Sequence, residues 1–345
     1  MFPENIHVKC RFGAGAGKEG CGYPGKCGFS REQLSMRRIP LPPHLLGRSF
    51  TTEAADLAGV TRDRLRARDL ITVSRGIRIP AAVPLQGAAA LAAYVQVNPN
   101  SVLSHTSAAR LWGIPLPPQI EGDWRIHLAN PPKSRVPRRV NVVGHSMVLA
   151  LDDVGELDGV RLTSPARTWL NLAAMLPLED LVAAGDFLVC SHGPDFPEPR
   201  EPLCSIAELA HCIARHAGMR GMRNARAALD LVREGADSPP ETYLRLALVS
   251  AGLPEPELNV VLYDPAGVPV LWPDGAYRRY RISLQYDGRH HGDGEQYQRD
   301  IRRQETTRRL GWTEIRLSSE DLAGDGRAVV VKVAQALRAA GWNPG

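Results

Sequence analysis

The chain has 345 residues, 43% of them hydrophobic and 23% charged, a balance that lets each of two or three domains bury its own core. No uninterrupted apolar run approaches the ~20 residues a membrane-spanning helix needs, and the N-terminus lacks the apolar core of a signal peptide, so a cytoplasmic protein with no membrane partner is expected. The formal net charge of +5 is a mild bias towards anionic partners, and the clustering of arginines matters more than the total.

Residues 1–35 are rich in glycine, show little apolar periodicity and are predicted to be disordered, with Met36 as an alternative start of translation. His7, Cys10, Cys21 and Cys27 fall in this stretch. They contain no C-x-x-C pair and their spacing is not that of a common finger, so a zinc site there is not expected. Cys190, Cys204 and Cys212 sit in apolar or helical contexts and read as small buried hydrophobes.

An ordered pattern begins near Ser49. Residues 51–58 predict a short capped helix ended by Gly59, and Thr61 is expected to cap a second helix over Arg62 to Arg68. Residues 70–73 and 77–79 follow as two short strands around Ser74-Arg75-Gly76. Helix, tight turn, helix and hairpin make a winged helix-turn-helix over residues 36–82. Arg62, Arg64, Arg66 and Arg68, with Arg75 in the wing, are the candidate DNA contacts, because such a helix lies in the major groove while cations neutralise phosphates. Arg62 and Arg66 share one helical face and Arg64 and Arg68 another, so the four do not reach one groove wall equally.

Residues 83–190 are expected to form an α/β domain. Helices are predicted over 86–97, 104–112, 166–175 and 178–188, and strands near 125–128, 140–143 and 160–162. His105 and His145 read as isolated histidines in core or surface hydrogen bonds. Residues 191–237, opening with a proline-rich stretch and continuing with two helices, are expected to act as a linker.

The chemistry is concentrated in residues 238–345. The order is a helix over 241–251, strands over 258–263, 268–271 and 281–286, a helix over 296–309, a strand over 312–317 and a closing helix over 326–340. Asp274 follows the second of these strands. Gln285 lies on the third, with Asp287 two residues on and therefore on the same face. A hard divalent ion such as Mg²⁺ or Mn²⁺ takes oxygen ligands from a few convergent side chains and leaves positions for water and phosphate. These residues are thus candidates for a catalytic metal site.

The motif order in this part, namely Glu241, Pro273-Asp274, Tyr286-Asp287-Gly288, His291, Asp300, Arg303 and Leu310-Gly311-Trp312, resembles the PD-(D/E)XK nuclease superfamily in its Vsr-like branch. Residues 49–190 resemble the AbiEi-type antitoxin family, through the winged helix and the strings at 104–109 and 167–170. The first resemblance implies a restriction-endonuclease-like α/β sandwich. Asp274 would be the principal metal ligand, Gln285 a weak second and Glu241 an outer-shell or second-metal carboxylate. His290 or His291 would orient or deprotonate the attacking water, while Arg299 and Arg303 hold phosphate. Gln285 stands where relatives of this type carry glutamate, and Asp287 where the superfamily's lysine would be, so weak cation binding is expected. Three functions follow: a DNA-targeted, Mg²⁺- or Mn²⁺-dependent endonuclease, a non-catalytic antitoxin-like regulator of a toxin-antitoxin or phage-defence system with a cognate toxin protein as partner, or a protein-interaction scaffold with neither activity.

Overall fold

In the computed structural model of the chain, residues 39–81, 87–134, 138–287 and 294–344 are described. The expected tail with His7, Cys10, Cys21 and Cys27 therefore lies outside the described residues. The protein is mixed α/β with several sheets, in two compact units divided between residues 97 and 98. Among the described residues no helix is long and apolar enough to cross a membrane.

The first unit contains α1 (Pro43–Leu46), β1 (Phe50–Thr51), α2 (Thr52–Leu57), β2 (Leu70–Ser74), β3 (Ile77–Pro80) and α3 (Gly87–Gln96). The Thr51 side chain accepts from the Ala54 N–H and starts α2 as its sequence predicts. The hairpin β2–β3 joins β1 in a three-stranded sheet ordered β1-β3-β2. Phe50, Ala55, Val60, Leu65 and Leu70 fill the core. The α3 helix belongs here rather than to the middle region, since the buried Ser49 hydroxyl accepts from the Ala93 N–H and the Ser49 N–H donates to the Ala89 carbonyl.

The expected helix over Arg62 to Arg68 is replaced by a single 3₁₀ turn, Arg64–Arg66. Two causes are visible. Leu65 is the one buried side chain of the turn, so a longer helix would have little apolar face to bury. The Arg64 guanidinium also closes the chain on itself, donating to both Asp69 carboxylate oxygens at 2.9 and 2.8 Å and to the Ile39 carbonyl at 2.6 Å.

The second unit opens with β4 (Val102–Leu103), α4 (His105–Trp112), α5 (Pro118–Glu121), β5 (Ile126–Asn130), β6 (Val142–Ser146), β7 (Val154–Leu157) and β8 (Val160–Thr163). These strands form a five-stranded sheet ordered β6-β5-β4-β8-β7, with β5 parallel to β6 and β4 parallel to β8. Then come α6 (Pro165–Leu172), α7 (Leu178–Val189), α8 (Ile206–Arg215) and α9 (Met222–Leu231).

Residues 206–231, expected as linker helices, instead complete the core around Trp169. Leu209, Cys212, Ile213, Met222, Ala225 and Ala228 pack there with Leu170, Leu181 and Leu188. Their apolar positions recur at three- and four-residue spacing, the mark of a helix with one buried face. Close approach is secured by Gly221, whose φ of +86° and position 2.6 Å (measured from a notional Cβ) from the backbone of Ala173 exclude any side chain. Cys190, Cys204 and Cys212 are free and buried, as their contexts indicate.

The remaining elements are α10 (Pro239–Ser250), β9 (Leu262–Tyr263), β10 (Pro269–Leu271), β11 (Gly275–Tyr277), β12 (Ile282–Asp287), α11 (Gly294–Arg309), β13 (Thr313–Ser318), α12 (Ser319–Leu322) and α13 (Arg327–Ala339). The predicted strand over 258–263 is cut to two residues, because Asn259 takes a left-handed φ of 53° and its amide donates to the Ser191 carbonyl at 3.0 Å. The short β11 strand was not legible in Gly275-Ala276-Tyr277. It pairs antiparallel with β12, which runs parallel to β13. Leu244, Leu248, Ile282, Leu284, Leu317, Val329 and Val333 bury the space between this sheet and helices α10 and α13.

Candidate functional site

Asp274 stands immediately before β11, where Gly275 pairs with Leu284, so its side chain meets Gln285 across the ladder. The Gln285 Nε2 donates to both Asp274 oxygens at 3.0 Å, and the Tyr286 N–H donates to Oδ2 at 2.6 Å. The predicted pair is thus brought together, but through the amide nitrogen of Gln285 rather than its oxygen.

Glu241 is the third member. It is the third residue of α10, its carboxylate accepting from the Ser238 hydroxyl at 2.7 Å and the Asp237 N–H at 2.9 Å, a local capping arrangement that fixes its rotamer. Burial is the leading cause that pushes the Glu241 carboxyl up to about 8, with the Asp274 charge adding to it. Burial also raises Asp274, to about 6, against the opposing pull of the Tyr286 N–H, Arg303 and Gln285. Two half-buried carboxyls that disfavour each other's ionisation form a region that a cation would relieve.

Asp287 lies on the strand face of Gln285 and meets arginines there. In the β12–β13 register Ser283, Gln285 and Asp287 lie beside Glu314, Arg316 and Ser318 on one face. There Asp287 sits 3.9 Å from both Arg303 and Arg316, while Glu314 holds Arg303 at 3.3 Å and Arg316 at 2.8 Å. Arg303, on α11, therefore faces the site and also acts on Asp274 electrostatically. Sequence reasoning missed Glu314, Arg316 and Asp237. The alternation Thr313-Glu314-Ile315-Arg316-Leu317 marks a strand face, but only the parallel register reveals which residues it meets. His290 and His291 lie outside the described residues, and nothing is described of the Arg299 side chain.

In the first unit Arg62, Arg66, Arg68 and Arg75 are exposed. Arg66 lies 3.4 Å from Asp63 in a solvent-facing pair. Arg64 departs from the expected set: only 8% of its side chain is accessible and its donors are committed to Asp69 and Ile39, which leaves it a structural role.

The state of Glu241 gives a pH signature. A carboxyl raised from 4.5 to about 8 is protonated in the fold at neutral pH, so its stabilising contribution is complete below the unfolded value and is lost as pH rises through about 8. Stability should fall between pH 5 and 8 without divalent ions. Glu241→Gln should flatten that fall and be more stable than the parent at pH 8 by up to about 4 kcal/mol, one pKa unit being worth ~1.4 kcal/mol. Denaturant unfolding across this range reads the difference, and parallel curves for the two proteins would refute the assignment.

No family model and no solved structure matches the chain. It is similar to two uncharacterized proteins of Mycobacterium tuberculosis, MT2308 and Rv2248, each 26% identical over 236 residues that span 67% of this chain and 79% of theirs.

Proposed function

We propose that the protein binds DNA through a winged-helix module in its first unit, and that residues 238–345 are a Vsr-like PD-(D/E)XK nuclease domain that hydrolyses phosphodiester bonds with Mg²⁺ or Mn²⁺. The single observation that carries the catalytic part is the pair of half-buried carboxyls, Asp274 and Glu241, raised together at a strand end with Arg303 alongside. The donor set fits a hard cation: two carboxylates are in place, and rotation of the Gln285 amide would present Oε1 in place of Nε2. When bound, the ion would supply Lewis acidity and an activated water. Asp274 and Glu241 would hold it, Tyr286 N–H would keep Asp274 oriented, and Arg303 would neutralise a phosphate drawn up to the β12 face. Conversion of supercoiled plasmid to nicked or linear DNA in Mg²⁺ or Mn²⁺, lost in Asp274→Ala, tests this reading.

A second reading is a non-catalytic, antitoxin-like regulator with a cognate toxin as partner. It is favoured by the Gln285 amide, which already satisfies both Asp274 oxygens without a metal. Sequence-dependent promoter binding with no cleavage in either metal would favour it.

The DNA-binding part rests on the segment between α2 and β2, where Arg62, Arg66 and Arg68 are exposed around the 3₁₀ turn, and on the β2–β3 hairpin, with exposed Arg75 at its tip. Replacing Arg62, Arg66 and Arg75 together with alanine should weaken binding and reduce the slope of log affinity against log salt by about 2–3, one phosphate contact contributing ~0.9. Fluorescence anisotropy at several salt concentrations reads this slope. An unchanged slope would remove these arginines from the interface.

A further inference from the structure

The three histidines of the middle sheet region, separate in sequence, meet in space. His127 on β5 and His145 on β6 occupy diagonal positions on one sheet face, since His127 pairs with Val143 and Ala129 with His145 in the parallel register. His105, the first residue of α4, stacks on His145 with ring centroids 3.7 Å apart. His127 Nδ1 lies 3.0 Å from His145 Nε2, and one ring nitrogen from each histidine lies within 4.8 Å of the other two.

We propose that His105, His127 and His145 bind one divalent transition-metal ion of the zinc class. Imidazole nitrogens are the ligands such ions favour. At Zn–N distances of ~2.0–2.1 Å, tetrahedral ligation places nitrogens about 3.3–3.4 Å apart, between the shortest separation here and the outer limit of the cluster. Three protein nitrogens would leave the fourth position to water.

The surroundings hold the rings in place as an outer shell does. His105 Nδ1 lies 3.1 Å from the Ser104 hydroxyl, so a proton on Nδ1 leaves Nε2 free to ligate. The Ser104 N–H donates to the His127 carbonyl at 2.9 Å, and the Ser107 hydroxyl accepts from the His127 N–H at 2.8 Å. The start of α4 is thereby fixed to the residue that supplies the second ligand. His127 Nε2 is buried without a hydrogen-bond partner among the described residues, which leaves Nδ1 as the engaged nitrogen of that ring. His105 itself adopts a left-handed φ of 48°, a local strain that surrounding contacts must sustain.

Burial, the leading cause, holds all three imidazoles below their ordinary pKa, and neighbouring imidazole charge adds to the effect for His105 and His127. Neutral rings at neutral pH are the ligating form.

Two other clusters are less suited. In Asp153–Cys212–His216 the carboxylate already holds Arg167 at 2.9 Å and Arg215 at 2.6 Å. In Cys190–His192–Asp237 the carboxylate lies 3.6 Å from Arg200, and burial pushes the Cys190 thiol up to about 12.

Co²⁺ titration of the chelator-stripped, full-length protein tests the assignment. One equivalent should produce visible ligand-field absorption without the near-ultraviolet sulfur-to-cobalt band that any cysteine site would add, and Zn²⁺ should displace it. His105→Ala and His145→Ala should each weaken Co²⁺ binding by more than the ~10–100-fold typical of losing an outer-shell partner. Zn²⁺ should also raise the Tm of the parent and not of either variant. NMR of the unmutated protein guards against a misfolded variant: Zn²⁺ should shift three histidine ring systems together. Absence of the sulfur-free band at saturating Co²⁺, or its survival at unchanged affinity in both variants, would overturn the proposal and leave an imidazole–imidazole hydrogen bond in a polar cluster. The result is independent of cleavage activity, because Asp274 and Glu241 take no part in it.

Discussion

Asp186→Ala is expected to destabilise the protein by about 3–5 kcal/mol, the range seen when one partner of a buried ion pair is removed. Asp186 on α7 accepts from the Arg233 N–H at 2.8 Å, the Thr242 hydroxyl at 2.8 Å and the Arg245 guanidinium at 2.7 Å. Its side chain is 1% accessible and that of Arg245 is 2%. Burial raises the Asp186 carboxyl more than Arg245 lowers it, so the attraction within the pair does not fully offset the cost of burying the carboxylate. The loss comes from what truncation leaves behind. Arg245 would retain only the half-buried Glu255 at 3.1 Å as a charge partner, and the Arg233 N–H and Thr242 hydroxyl would lose their acceptor. Asp186→Leu combined with Arg245→Met, which removes both charges, should recover most of the stability. Urea unfolding of the three variants measures this. A single-variant loss below about 1 kcal/mol would mean that the polar cluster is solvated rather than sealed.

The same residues show how structure beyond the sequence positions the site. Asp186 and Arg245 are far apart in the chain, and their pairing fixes α10, whose third residue is Glu241. Caps and amphipathic faces were readable: Thr51 before α2, the Leu244 and Leu248 stripe of α10, and the alternation in β12. These depend on neighbours within one turn or one strand.

Features set by distant contacts were not readable. Arg64 was legible as a cation but not as the partner of Asp69, so a helix was expected where a 3₁₀ turn stands. Asn259 breaks a strand of good β composition by reaching Ser191. The three histidines are separated by 22 and 18 residues, and they meet only through the parallel register of β5 and β6 and the placing of the start of α4 over it. At the candidate site, Asp274 and Gln285 were legible because a hairpin-like pairing joins them. Glu314 and Arg316 were not, because a parallel strand reaches them across a whole helix.

Gln285→Glu should produce the largest change in metal response. In the parent, the amide donates to both Asp274 oxygens and turns its positive end, not an oxygen ligand, towards them. Substitution removes that donor and adds a carboxylate of nearly the same shape beside Asp274 and Glu241, whose carboxyls are already raised. Without metal the variant should lose roughly 1–3 kcal/mol, the penalty of leaving a buried acceptor unpaired, and more as pH rises and the carboxyls ionise. With Mg²⁺ or Mn²⁺ the order should reverse. Ligand at a hundred times its Kd stabilises a fold by about 2.7 kcal/mol, so saturating ion should offset the loss in the variant while shifting the parent little. Plasmid cleavage should rise at least about tenfold, as an added carboxylate lets the ion bind in its reactive position. Asp274→Ala placed on the Gln285→Glu background should abolish both the metal-dependent Tm rise and the cleavage. If neither the parent nor the Gln285→Glu protein gains stability from a divalent ion, the raised carboxyls of Asp274 and Glu241 belong to a site that no longer binds metal, and the regulator reading stands instead.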